Sequence, residues 1–190
     1  MPAVYQLFGY PGTGKLTIAK EIVRQLAERG EPCARLDNHA THNLVWQLIP
    51  EDRRFDPPVL AKVFELRRVL IEAAAELTSD AHSIVFTNFL PPKREPTIVD
   101  PHRDVAITLG KPLVAVELTL DRAEILRRVG NADRIANMKL TSIEGANRVM
   151  DAGQTLPTHW PELRTLAIDG LTAAEAAARI VAMADQASTG

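Results

Sequence analysis

Gly9-Tyr10-Pro11-Gly12-Thr13-Gly14-Lys15 follows the apolar run Val4-Tyr5-Gln6-Leu7-Phe8 and precedes an amphipathic segment that begins at Leu16-Thr17. A strand, a glycine-rich turn and a helix, in that order, give a G-x-x-x-x-G-K match its physical meaning. The glycines let the backbone curl with its N–H groups pointing inward, and the following helix adds its positive N-terminal end. Lys15 closes this concavity with a mobile charge. A lysine at a helix start opposes the helix dipole unless an anion is present. The stretch therefore predicts a cradle for the phosphates of a nucleoside triphosphate, with Lys15 on the β and γ groups.

Working outward, Ile18, Ile22, Val23 and Leu26 recur at helical spacing between Lys15 and Arg29, and Gly30 fits the stop position. Cys33 to Leu36 reads as a second strand ending at Asp37. A polar segment, Asn38 to Asn43, leads into an apolar stretch from Leu44 to Ile49, and Pro50 to Asp56 reads as a charged loop. Asp56-Pro57 opens a helix to about Thr78. Ser83 to Phe86 is a third strand ending at Thr87-Asn88, followed by a proline-rich basic loop, Pro91 to Pro96. Asp100-Pro101 repeats the cap-plus-proline signal, with Gly110 as the stop. Leu113 to Val116 is a fourth strand. Asp121 with Glu124 resembles a capping box, Thr141 with Glu144 opens a further helix, Leu166 to Ile168 is the last strand, and Thr172 with Glu175 starts an alanine-rich closing helix.

Strands separated by helices pair in parallel through right-handed crossovers. The expected fold is a three-layer α/β domain, a doubly wound sheet of about five parallel strands. Ligands collect at the carboxyl ends of such strands, so Asp37, Thr87, Asn88 and the segment after Glu117 should share one crevice with Lys15.

At 190 residues the chain suits one well-buried core. A net charge of −2 gives no reason to expect nucleic acid or an anionic membrane as a partner. No apolar run is long enough to cross a bilayer, and the chain enters its first strand without a cleavable apolar segment. The single cysteine, Cys33, excludes an internal disulfide framework and a cysteine-based zinc cluster. The cytoplasm is the expected compartment.

The loop reads G-x-P-G-T-G-K-x-T, with Leu16 where most such loops carry Ser or Thr and with Thr17 one place later. This spelling resembles the loop of adenylate kinases. More broadly, the chain resembles the superfamily of P-loop small-molecule kinases, which includes shikimate kinases, gluconate kinases, chloramphenicol phosphotransferase and zeta-toxin-like kinases. The resemblance implies a P-loop fold of kinase type, an acceptor-binding region at about 38–56, a mobile lid at about 129–140, and ATP with Mg2+ as cofactors. It implies nucleotide contacts from Gly9, Pro11, Gly12, Thr13, Gly14, Lys15, Leu16 and Thr17, with the Thr17 hydroxyl on the metal side. Asp169-Gly170 resembles the loop beside the adenine. Arg128 and Arg134 resemble lid arginines that close on the transferring phosphate. Asp37 takes the place of an aspartate beside the accepting hydroxyl. One departure stands out: Thr87-Asn88 follows the third strand where adenylate kinases hold an aspartate that contacts magnesium through water.

The expected activity is ATP-dependent transfer of the γ-phosphoryl group to a hydroxyl of a small metabolite or antibiotic-like acceptor, with Lys15, Asp37, Arg128 and Arg134 in catalytic roles. His39 and Asn88 are candidate acceptor contacts beside Asp37. His39 and His42 could face one way on a helical turn, but a zinc site would need a third ligand. Lys93 and Arg94 offer charge to an anionic acceptor. Trp46, Phe55 and Trp160 read as core or rim packing. Two other readings remain open: a nucleoside monophosphate kinase, which would lack an arginine after the third strand because Leu90-Pro91 stands there, and a nucleotide-binding switch without transfer. The acceptor and the oligomeric state are open.

Overall fold

In the computed structural model, residues 1–130 and 140–187 are described. Five strands, β1 (Val4–Phe8), β2 (Cys33–Asp37), β3 (Ser83–Thr87), β4 (Leu113–Thr119) and β5 (Leu163–Ala167), form one sheet in the order β2-β3-β1-β4-β5. Every pairing is parallel. Between them run α1 (Lys15–Glu28), α2 (Asn38–Trp46), α3 (Pro57–Leu77), α4 (Asp100–Thr108), α5 (Arg122–Val129) and α6 (Ile143–Ala152), and α7 (Ala173–Ala187) closes the chain. The chain leaves β1 towards β2 on one side and reaches β4 on the other. The carboxyl end of β1 is thus the switch point of the sheet, where a doubly wound fold opens a crevice.

β1 and β3 are buried at every position, because both sheet faces are covered. Alternation along β1 sends Tyr5 and Leu7 to one face, where they pack with Ile18, Ile22 and Leu26 of α1 and Ile180 of α7. Val4 and Phe8 go to the other, against Ile71 and Ala74 of α3 and Val105 of α4. α1 and α7 therefore cover one face and α3 and α4 the other.

The elements differ from the sequence reading in several places. The segment after Asp37 is a helix from its first residue, because the Asp37 carboxylate accepts from His39 N and caps it. Ser142, not Thr141, caps α6, accepting from Gly145 N at 3.0 Å. β5 begins at Leu163, earlier than its three apolar residues suggest, and Ile168 N continues its ladder to Thr119 O. The Asp121 carboxylate caps α5, but Glu124 turns to Arg127 and Arg128 and does not reach back. Thr172 and Glu175 form the full reciprocal capping box before α7.

Asp100 is the most informative difference. It lies inside the first turn of α4, and its Oδ1 accepts from Trp160 Nε1 and His159 Nε2, each at 2.8 Å. Trp160 is buried edge-on to Phe8, 5.9 Å between centroids, so this carboxylate fastens the segment before β5 to the α3/α4 layer. Asp100→Ala strands the buried indole N–H and should destabilise the fold by about 1–3 kcal/mol in urea unfolding. In a Trp160→Phe background the same change should cost much less, so the double-mutant cycle shows coupling.

Candidate active site

The loop between β1 and α1 is held by contacts that allow no side chain at two of its glycines. A Cβ at Gly9, where φ is +144°, would lie 2.8 Å from the Leu118 carbonyl oxygen of β4. One at Gly12, where φ is +102°, would lie 3.0 Å from Ile125 Cγ2 of α5. Thr13, fully buried, donates its hydroxyl to Tyr10 O at 2.9 Å and closes the turn. Lys15 Nζ lies back across the loop and donates to Gly9 O at 2.6 Å and Tyr10 O at 2.9 Å. An ammonium already bent over the loop concavity, at the amino end of a 14-residue helix, fits the polyphosphate for which the sequence predicts it.

The loop forms one wall of a cleft of about 1730 Å3. Pro11, Gly12, Thr13, Gly14, Lys15, Leu16 and Thr17 line it, as do Asp37, His39, Thr87 and Asn88. The crevice expected from topology is present and brings the β1, β2 and β3 ends together, but Gly9 does not line it, and of the segment after Glu117 the lining begins only at Arg127 and Arg128. Single small-molecule sites run to roughly 300–1,000 Å3, so this cleft has room for two ligands side by side.

Arg128 joins the loop side of the cleft from α5. Its Nη1 would lie 3.6 Å from a Cβ on Gly14, and its Nε donates to Glu124 at 2.7 Å. Glu124, paired with Arg127 and Arg128, has its carboxyl held at about 2. Arg134 and residues 131–139 of the expected lid lie outside the described residues. The pair Asp169-Gly170 does not line the cleft: Asp169 accepts from Asp121 N at 2.8 Å and ties the β5–α7 loop to the β4–α5 loop. Its neighbours Ile168, Leu171 and Thr172 line the cleft instead.

On the opposite wall, the Thr87 hydroxyl donates to Asp37 Oδ1 at 2.8 Å and accepts from Asn38 N at 3.4 Å. The neutral residue at the end of β3 thus orients the carboxylate at the end of β2. Asn88 is buried; its amide donates to Gln6 of β1 at 3.4 Å, so one side of it anchors the turn while it lines the cleft. His39 lies beside His42 and Trp46, with centroids 5.8 and 6.2 Å away. Trp46 is buried and Phe55 exposed at the rim, and both line the cleft, whereas Trp160 is core packing. No group of three or more His, Cys, Asp or Glu side chains suited to a metal occurs among the described residues. No helix among them is long and apolar enough to cross a membrane.

Sequence reasoning missed two residues here. Arg67 of α3 donates through Nη2 to Asn38 O and Thr41 Oγ1, each at 3.1 Å, and lies 3.1 Å from His42 Nδ1. Burial pulls its pKa down to about 10, against the attraction of Asp37. The signal was its position: Val63 and Ile71, four residues either side, belong to the buried stripe of the helix. His102 of α4 is buried against Phe86, with centroids 4.5 Å apart.

Burial, assisted by the positive charge of Arg67, lowers His42 to about 4 and His102 to about 3. Both are neutral in the folded chain, while the unfolded chain protonates them near 6.5. Their contribution is complete above pH 6.5 and lost as pH falls towards 4, because the unfolded state then binds more protons. Thermal melts should show stability dropping over that window, and His102→Gln should make the slope shallower.

No protein-family model and no curated protein sequence matches the chain. Solved structures do. The Mycobacterium tuberculosis APS kinase, in complex with AMPPNP and APS, aligns with a TM-score of 0.64 at 16% identity, covering 97% of this chain and 98% of that one. A gluconokinase from Sinorhizobium meliloti 1021 aligns with a TM-score of 0.57 at 16% identity, covering 97% and 95%. Thymidylate kinase from Candida albicans aligns with a TM-score of 0.58 at 14% identity, covering 98% and 92%. With its parallel five-stranded sheet and its glycine-locked loop after β1, the chain has the fold of the P-loop kinases.

Proposed function

We propose that the chain is an ATP-dependent kinase that transfers the γ-phosphoryl group to a hydroxyl of a small acceptor. The observation that carries this reading is a single cleft with Lys15 and the loop amides on one wall and the Asp37 carboxylate, oriented by Thr87, on the other. Phosphoryl transfer asks the protein for little covalent chemistry; positioning and charge neutralisation dominate. Loop amides and Lys15 would hold the β- and γ-phosphates, and Arg128 would exchange Glu124 for the transferring group. Asp37 would accept a hydrogen bond from the attacking hydroxyl and aim its oxygen at the γ-phosphorus as the bond to the leaving ADP breaks. Thr17, exposed on the cleft wall, and Asp37 are the side chains suited to magnesium, which would neutralise the phosphates and keep most of its shell from phosphate and water. Cytoplasmic location belongs to the same reading.

A thermal-shift screen run beside AMPPNP and magnesium identifies the acceptor: the true one stabilises the chain only when the nucleotide is present. The panel spans adenylyl sulfate, gluconate, shikimate, chloramphenicol and the nucleoside monophosphates. Rapid phosphorylation of a monophosphate would place the chain with the nucleotide kinases instead. Nucleotide binding with no product from any acceptor would favour a switch, the reading that the neutral Thr87-Asn88 end of β3 motivates.

Asp37→Asn tests the acceptor wall without removing the α2 cap, since Asn caps about as well as Asp. Turnover on the acceptor found above should fall by roughly 10²-fold or more. The Kd of AMPPNP, read by calorimetry, should change little. Equal turnover in the variant would remove Asp37 from the mechanism.

A further inference from the structure

The nucleotide accounts for the cations on one wall of the cleft and leaves those on the other unexplained. Arg54, Arg67 and Arg94 line the acceptor half from three separate segments: the turn before α3, α3 itself, and the loop after β3. Among the described residues neither Arg67 nor Arg94 forms an ion pair, and Arg54 has only a long one, 3.8 Å to the fully solvated Glu51. Arg67 and Arg94 share one ring, with their guanidinium carbons 5.5 and 5.6 Å from the Phe64 centroid. Both cations thus lie against the Phe64 ring, whose face attracts positive charge.

The walls between these cations are apolar. His42, Trp46 and Phe55 form a run of edge-on rings, 4.7 and 5.3 Å apart, and Phe64, Phe89 and Ile98 continue the lining. A flat or apolar body would find ring faces and edges along most of its length, and a terminal anion would find the arginines.

We propose, building on the kinase reading, that the acceptor is an amphipathic oxyanion. Its apolar or aromatic body lies against Trp46, Phe55 and Phe64, its phosphate, sulfate or carboxylate group is held by Arg67 and Arg94, and its hydroxyl reaches Asp37. Arg67 is already fixed through Nη2 by Asn38 O and Thr41, so little side-chain freedom is lost when the anion arrives. Arg94, exposed, supplies the second cation from a loop.

Calorimetry on the full chain with magnesium and AMPPNP bound tests this, because the phosphate loop is then filled. The probes are 1-naphthyl phosphate, 1-naphthyl sulfate and 1-naphthoate, with neutral 1-naphthol and inorganic phosphate as controls. At least one naphthyl anion should bind about tenfold or more tighter than either control, and which of the three does so identifies the oxyanion. Arg94→Gln, a change at an exposed residue that makes no hydrogen bond among the described residues, should erase the advantage over 1-naphthol and leave AMPPNP binding unchanged. Arg67→Lys keeps the charge but loses the bonds that fix it to Asn38 O and Thr41, and should weaken the anion several-fold. Anions binding no better than 1-naphthol, or an Arg94→Gln chain that binds them as the parent does, would overturn the proposal. Failure of AMPPNP itself would instead strike the kinase reading. The same anions titrated into Lys15→Ala then read the arginine site alone, and loss of their binding on adding Arg94→Gln would still establish that site.

Discussion

Backbone-to-backbone approach at the carboxyl end of β1 governs everything built around it. At Gly9 the chain passes so close to the Leu118 carbonyl of β4 that one methyl group has no room, and at Gly12 it rests on Ile125 of α5. Packing fixes the course of this loop, and the Thr13 N–H and hydroxyl both close on Tyr10 O, so the cost of shaping the loop is met when the chain folds. The same contacts fix α5 against the loop and so bring Arg128 over Gly14. The glycine loop and Arg128 are therefore one packed unit.

The fold was legible in the sequence because each of its determinants is local. Val4 to Phe8, the glycine loop and the Ile18-Ile22-Leu26 stripe each carry their own period, and a parallel sheet is the arrangement that accommodates them in alternation. The misread details are those where a distant partner competes for a local signal. Asp100 followed by Pro101 has the form of a helix cap, yet an indole sixty residues later takes its carboxylate. Glu124 has the form of a capping-box partner, yet two arginines one turn on hold it more strongly than a backbone amide would. β5 begins with Leu163, Arg164 and Thr165, whose strand character comes from the β4 register and not from their own composition.

The candidate site divides in the same way. The loop wall of the cleft could be read residue by residue because a single continuous segment builds it. On the opposite wall, Asp37 and Asn88 were legible as strand-end residues and His39 as one of the polar residues that follow β2. The link from Thr87 to Asp37 joins residues fifty apart and depends on the β2–β3 register. Arg67 was hidden by its own helix: a charge on a buried stripe signals a site only once the polar atoms around it are known. Trp46 and Phe55 have the composition of packing residues, and only the shape of the cleft shows that their free sides face it.

The central claim is that the first loop is a preformed polyphosphate site. Backbone amide spectra of the 15N-labelled chain, recorded as AMPPNP and magnesium are added, test it directly. The account predicts large saturable shifts confined first to residues 12–17 and accompanied by smaller ones at Arg128, all lost in Lys15→Ala. Spectra in which those amides stay fixed at millimolar nucleotide, or in which the shifts centre on another part of the chain, would contradict it.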